Sequence, residues 1–301
     1  MATRFCVCIG SNYYKEVAAR TFGILHPGEM GVAVAATLKN SGHNVCWASE
    51  GRSAETRSRA VAAGLNDTGT VAAICRRCEA IVSVCPPEFA EGMAREIADH
   101  GFQGSYVDAN AISPEKASRI GRMLEAGGVR FVDGCIIGLP ASTRGETWIY
   151  LSGQHAQEAA GCFSGGPLEV EVLEGEIGKA SALKMVFAAQ TKGLAALRAA
   201  VLGAAEELGV LRDLERQWSR SGPPFSQVAG SVQHVAPKAW RFVAEMQEIA
   251  ATFEAAGMPG GFHRTAGEIF ARLADFKGAS KVELEDALRK LAARSLTEAG
   301  S

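Results

Sequence analysis

Short apolar runs alternate with longer amphipathic stretches up to about residue 175, and the pattern then turns almost wholly helical. Strands are expected at Thr21–Leu25, Val45–Ala48, Ile81–Cys85, Ser105–Ala109, Val129–Val132, Trp148–Ser152 and Leu168–Leu173. Helices are expected at Met30–Asn40, Glu88–Ala98 and Gln154–Cys162. Another starts from a Ser113 cap with Pro114 in its first turn and runs to about Ala126. Pro86–Pro87 closes the third strand, because proline cannot continue a central strand. Strands separated by helices argue for a mostly parallel sheet covered on both faces.

From Lys179 to Leu208 only Gly193 and Gly203 interrupt a helical run that would span ~45 Å. It is apolar round much of its circumference, as a buried or interface helix would be. Further helices are expected at Pro237–Ala256, Thr265–Asp275 and Val282–Leu296, with a break at Gly257–Gly261. The expected architecture is α/β. A Rossmann-type, doubly wound, mostly parallel sheet occupies residues 1–175, and a long interdomain helix leads into an all-helical domain, residues 176–301. Residues 1–19 fit either an extra strand and helix or a loosely packed extension.

The most informative local feature is FGILHPGEMG, Phe22–Gly31. An apolar run stops at a Pro-Gly turn, and a helix follows at once. Strand, tight glycine turn and helix make a phosphate cradle, with unpartnered helix amides facing the anion. The cofactor-binding set is His26, Pro27, Gly28, Glu29, Met30 and Gly31. A side chain at Gly28 would obstruct the approach of backbone to pyrophosphate, and Gly31 lets helix and sheet pack closely. His26 stands where the usual first glycine would be. In isolation, the segment also fits a plain turn at a helix start.

Bulk composition narrows the class. The chain has 301 residues, 47% apolar and 21% charged, with net charge −2. That balance fits a globular protein and offers no basic field for nucleic acid. No uninterrupted apolar run reaches the ~20 residues of a membrane helix, and the opening MATRFCVCIG does not read as a secretory signal. A cytoplasmic location is expected. Eight cysteines suit small buried hydrophobes in a reducing compartment better than a disulfide frame. Cys75 and Cys78 read as partly buried helix residues rather than a redox dithiol. The six histidines form no ligand-spaced cluster, so no metal is expected.

After the second strand comes ASEGRS, Ala48–Ser53, where the adenosine ribose would lie. Ser49 sits at the strand end. Arg52 can grip a 2′-phosphate with two parallel bonds, favouring NADP, whereas Glu50 favours NAD if it turns inward. A solvated loop charge is the other reading of Arg52. Asn110 in VDANAISP lies just past a strand, where its amide suits a substrate hydroxyl or carboxylate or a simple turn. The small residues of FVDGCIIGLP suit one wall of a substrate pocket, and Arg144 reads as a loop charge. Lys184, early in the long helix within SALKMVFAA, is the leading general acid/base. Burial would lower its pKa. Lys179 and Lys192 are rivals, and Lys192, two turns on, suits an anionic substrate group. A snorkelling lysine is the alternative.

Together HPGEMG (His26–Gly31), SGHNV (Ser41–Val45), VDANAISP (Val107–Pro114), FVDGCIIG (Phe131–Gly138) and GKASALK (Gly178–Lys184) resemble the β-hydroxyacid dehydrogenase superfamily. That group contains the 3-hydroxyisobutyrate and 6-phosphogluconate dehydrogenases. The resemblance runs from about Phe22 to Gly193. Beyond it, the chain resembles a subgroup with a distinct helical C-terminal domain of unassigned function. The resemblance implies that Lys184 is the general acid/base, that Ser83, Val84, Cys85 and Pro86 lie along the cofactor, and that Asn110 and Gly138 face the substrate.

The chain departs from the family at Asn110 and Ala111 (usually serine and threonine), Ile137 (serine) and Ala188 (asparagine). A 3-hydroxyisobutyrate activity is therefore not carried over. The expected protein is an NADP-preferring oxidoreductase, with NAD as the alternative cofactor. It acts on a small polar hydroxy or keto compound and forms a homodimer. Imine reduction and a non-catalytic nucleotide-binding role are the alternatives.

Overall fold

The computed structural model describes residues 18–292. The alternatives for residues 1–19 fall almost wholly outside that range, as does the end of the last expected helix.

The strands are β1 (Thr21–Ile24), β2 (Asn44–Trp47), β3 (Asn66–Asp67), β4 (Ala80–Ser83), β5 (Ser105–Asp108), β6 (Arg130–Ile137), β7 (Trp148–Ser152) and β8 (Glu169–Val172). They form one sheet in the order β3-β2-β1-β4-β5-β6-β7-β8. All neighbours from β3 to β6 are parallel; β7 runs antiparallel to β6, and β8 is parallel to β7. The order reverses between β1 and β4, which opens a crevice at the carboxyl edge of the sheet.

Helices α1 (Glu29–Asn40), α2 (Ala54–Ala62), α3 (Val71–Arg77), α4 (Ala90–Asp99), α5 (Pro114–Ala126) and α6 (Ala156–Ala160) intervene. Successive strand residues feed opposite apolar layers, as the period-two geometry of a strand requires. Val82, Val107 and Val132 join Val34, Leu38 and Trp47 on one face. Ile81, Tyr106 and Phe131 join Ile74, Ile97 and Ile120 on the other. This double burial is what makes the strands read as near-continuous apolar runs.

The second half is α7 (Lys179–Glu207), α8 (Leu211–Trp218), α9 (Phe225–Val235), α10 (Ala239–Ala255), α11 (Gly261–Arg272) and α12 (Leu284–Ala292). Its core joins Met185, Ala196 and Leu202 of α7 to Val232, Met246, Phe270 and Leu288. The two glycines of α7 are close-packing points rather than breaks. A Cβ on Gly193 would lie 3.0 Å from the Phe262 ring, and one on Gly203 would lie 2.7 Å from Leu291 Cβ. By length and composition alone α7 could cross a membrane. In this fold it is instead the spine of the helical core, with Lys184 and Lys192 on its length.

Several elements differ from expectation. Helix α2, strand β3 and helices α8 and α9 are additional to the expected set; α2 buries only Ala60, and α8 buries none of its residues although Leu211, Leu214 and Trp218 share one of its faces. Helix α4 starts at Ala90 because Pro87–Phe89 form a 3-10 turn first. Strand β6 continues to Ile137 because β7 pairs with its second half.

Candidate active site

Four segments converge on the carboxyl edge of the sheet. The strand register aligns Ser83 with Asp108 and Asp108 with Asp133. The turn after β1, the loops after β4 and β5, and the far half of β6 therefore rise above one row.

The first segment is the glycine turn. Gly28 is the N-cap of α1 at φ −70° and supplies no side-chain cap, so the opening amides lack a side-chain acceptor. A Cβ on Gly28 meets nothing within 4 Å, whereas one on Gly31 would lie 2.1 Å from the His26 carbonyl oxygen. Gly31 is thus required by packing, and Gly28 faces open space. Glu29 is exposed; Pro27 is buried and Met30 half-buried.

His26 Nδ1 and Arg52 Nε are both buried without a hydrogen-bond partner. Burial, assisted by the Arg52 charge, pushes the His26 pKa down to about 4, so the ring is neutral near pH 7. Two nitrogen-bearing side chains thus stand beside an uncapped helix start, where a phosphate would supply the missing acceptors. Asp67, on β3 beyond Ser49, accepts the Gly69 amide at 2.8 Å, and against the effect of burial this bond together with the neighbouring Ser49 holds its carboxyl below the usual range.

The second segment joins the loops after β4 and β5. Asn110, 2% exposed, accepts the Cys85 amide at 2.6 Å and donates to Ser83 Oγ at 3.1 Å. Its carbonyl oxygen and one of its two N–H groups thus shape the Ser83–Pro86 loop. Ser83 and Cys85 are buried; Val84 and Pro86 keep some surface. Asp108 accepts the Asn110 amide at 3.0 Å through Oδ1, while its buried Oδ2 has no partner. Burial, with Asp133 on the next strand adding repulsion, raises its pKa to about 7.

The third segment ties β6 to α7. Asp133 Oδ2 accepts the amides of Gly178, Ala180 and Ser181 and the Ser152 hydroxyl; Oδ1 accepts Ser181 Oγ at 2.6 Å. A strand carboxylate therefore caps the long helix, a favourable place for negative charge. Burial still raises the Asp133 pKa against these bonds.

One turn on, Lys184 Nζ donates to the Ile136 carbonyl oxygen at 2.8 Å. Burial lowers the Lys184 pKa; Glu245 acts in the opposite sense and Lys192 adds to the lowering. Lys179, the rival, is exposed. Gly138, at the end of β6, has φ +130°, and a Cβ there would lie 2.4 Å from Thr147 Oγ1, so only glycine fits. Arg144 is bound to the carbonyls of Ser164 and Gly166, which makes it a loop pin.

The fourth segment comes from the helical half. Lys192 Nζ meets Glu245 Oε1 at 2.6 Å and lies 5.0 Å from the centre of the Phe242 ring. Its charge is thus partnered rather than free. Glu248 accepts the Lys116 ammonium at 2.5 Å and the Ser113 amide at 2.8 Å, and Lys116 also donates to the Pro87 carbonyl. Asp108, Asp133, Glu245 and Glu248 were not singled out from the sequence. A lone acid inside an apolar strand, as in FVDGCII, was the available signal for Asp133.

Among the described residues no cluster of three or more His, Cys, Asp or Glu is placed to hold a metal. Burial pushes the Cys75 thiol up to about 11 and the Cys78 thiol up to about 12, the reverse of an activated dithiol.

Residues 21–160 match the NAD-binding domain of 6-phosphogluconate dehydrogenase. Residues 205–273 match a domain of unknown function, DUF1932. The solved structure of the conserved protein MTH1747, of unknown function and described as structurally similar to 3-hydroxyacid dehydrogenases, is 30% identical. That match covers 85% of this chain and 97% of the other, with a TM-score of 0.60. The chain belongs to the 6-phosphogluconate/3-hydroxyacid dehydrogenase superfamily.

The Mycobacterium tuberculosis 3-hydroxyisobutyrate dehydrogenase shares the fold at a TM-score of 0.66 and 16% identity, over 91% of this chain and all of the other. An uncharacterized 28.5 kDa protein of Methanothermus fervidus is 28% identical over 62% of this chain and 73% of its own length. As a superfamily member the chain is a Rossmann-fold protein of NAD(P)-dependent dehydrogenase/reductase type, with a distinct helical C-terminal region.

Proposed function

We propose that this superfamily member is an NADP-preferring oxidoreductase acting on a small polar hydroxy or keto acid or a related carbonyl compound, with Lys184 as general acid/base. The observation that carries the reading is the seat of Lys184, desolvated against the Ile136 carbonyl beyond the carboxyl edge of the sheet. When bound, the nicotinamide supplies or accepts the hydride.

The chain's own residues fit that cofactor. The Gly28–Gly31 turn leaves backbone room and uncapped amides, and Arg52 Nε and His26 Nδ1 are buried polar atoms lacking partners. Arg52 supports the preference for a 2′-phosphate. Ser49 would border the ribose, the Ser83–Pro86 loop would lie along the cofactor, and Asn110 would hold that loop through Cys85 and Ser83. Lys184 would give a proton to the developing alkoxide and take it back in the reverse direction. A lowered pKa reduces the cost of that exchange near neutral pH. Gly138 would leave the substrate wall open. Lys192 would offer its ammonium to an anionic substrate group in competition with Glu245.

An exposed apolar stripe on α7 supports a homodimer, and the cysteines among the described residues, all unbridged, support a cytoplasmic location.

The test is NADPH consumption across a panel of small keto acids, aldehydes and matched imines at one pH. Lys184→Ala is expected to lose at least ~10²-fold in turnover while keeping NADPH binding by fluorescence. Unchanged turnover would remove Lys184 from the chemistry. Faster turnover of imines would replace carbonyl reduction with amine formation.

A further inference from the structure

Two carboxylates of α10 reach the crevice from a domain with no assigned role. Glu245 and Glu248 lie three residues apart and so share one helix face. Glu248 joins α10 to the start of α5 through the Ser113 amide and Lys116, and Lys116 in turn holds the Pro87 carbonyl beside the Ser83–Pro86 loop. That clamp fixes α10 against the nucleotide domain.

One turn earlier, Glu245 is 7% exposed and holds Lys192 at 2.6 Å, with the Lys192 ammonium over Phe242. Lys192 and Lys184 are on one helix, two turns apart. The charged and titratable groups facing Lys184 are Glu245 from α10, Lys192 from α7 and Cys135 from β6. Glu245 is thus the buried carboxylate paired with Lys192, two turns along α7 from Lys184. Without it, like charges on one helix would face each other with little solvent screening.

We propose that Glu245 is a positioning residue for the Lys184 chemistry: it fixes Lys192 over Phe242 and balances the like charges that α7 carries at Lys184 and Lys192. The helical domain thereby completes the crevice instead of merely covering it. The proposal rests on the acid/base reading of Lys184. It accounts for a glutamate buried in a helix otherwise packed through Met246, Ile249 and Ala250.

The test uses the full chain and does not depend on turnover. Competitive acylation of lysines, read peptide by peptide by mass spectrometry, gives the pH midpoint at which Lys184 becomes nucleophilic. Glu245→Gln is expected to lower that midpoint by about one pH unit, and Glu245→Asp to restore most of it. The basic limb of the NADPH-oxidation profile should move in parallel. An unchanged midpoint in Glu245→Gln, or an equal shift in Glu248→Gln, would overturn the proposal, the latter by showing general loosening of α10.

Should Glu245→Gln fail to fold, Lys192→Met is compared with the Lys192→Met/Glu245→Gln pair. A lower midpoint in the double variant supports the charge role, and equal midpoints overturn it. Failure of the acid/base reading is separable: Lys184→Ala would keep full turnover while the labelling shift persisted.

Discussion

Lys184 donates to the Ile136 carbonyl oxygen at 2.8 Å, three residues along β6 from Asp133, which takes Ser181 three residues earlier on α7. Strand and helix are therefore pinned in register at two successive points. The lower pin sets the direction of the helix and the upper one seats the ammonium proposed as the general acid/base.

Asp133→Ala should consequently damage both fold and chemistry. It strands the amides of Gly178, Ala180 and Ser181 in a dry site, together with the Ser152 and Ser181 hydroxyls. A loss of about 3–5 kcal/mol is expected by urea unfolding, from several buried bonds to a charged acceptor. Asp133→Asn keeps the shape but turns an NH2 toward donors, and a smaller loss of about 2 kcal/mol is expected. A stability within experimental error of wild type in Asp133→Ala would mean that the helix is held elsewhere.

Much of this frame was legible in the sequence, for identifiable reasons. Strands buried on both faces announce themselves as apolar runs, so β1, β2, β5 and β7 appeared close to their observed limits. The Ser113 cap was legible because its chemistry is local; its hydroxyl accepts the Lys116 amide. Lys184 stood out as a charge inside an apolar helical stretch. What stayed hidden depends on partners distant in sequence. Asn110 looked free until its partners Cys85 and Ser83 were placed beside it. Lys192 looked free until α10 brought Glu245 to it. Helices α2 and α8 are short and expose most of their surface, α2 burying only Ala60 and α8 burying nothing, so neither stands out as a run of core positions.

Asp108 gives the protein a stability term with an unusual sign. Its folded pKa, about 7, lies above the ordinary carboxylate value. The folded state therefore binds a proton that the unfolded chain has released. That contribution is complete below about pH 4 and disappears as pH rises through about 7, amounting to at most about 4 kcal/mol. Asp108→Asn leaves an oxygen to accept the Asn110 amide and removes the titration. Relative to wild type it should be stabilising at about pH 8 and close to neutral at about pH 4. Thermal unfolding of both proteins at the two pH values checks this, and a difference independent of pH would refute the assignment.

The two cofactor-turn glycines should fail in different ways. Gly28 has ordinary backbone angles and open space at its side-chain position, so Gly28→Ala should fold with an unchanged Tm. Its methyl would nonetheless stand where pyrophosphate approaches, and NADPH affinity should fall by about tenfold or more. In Gly31→Ala the methyl overlaps the His26 carbonyl, so the turn itself must move and stability should drop by ~1–3 kcal/mol. Fluorescence titration with NADPH alongside thermal melts separates the outcomes. Full NADPH affinity in a folded Gly28→Ala would place the phosphates elsewhere.

The outer face of α7 bears on assembly. Val186 is 58% exposed, Phe187 46%, Leu194 41% and Leu197 49%, and their spacing sets them along one side of the helix. Burying such side chains against a second copy is worth about 1.5–3 kcal/mol each before association costs, and a stable dimer hides ~800 Å² per partner. Sedimentation of the wild type should therefore give a dimer at micromolar concentration. Val186→Glu with Leu197→Glu, which puts like charges opposite each other across a twofold axis, should give a folded monomer. A wild-type monomer throughout that range would rule the dimer out, and a dimer unaffected by both charges would move the interface to another face.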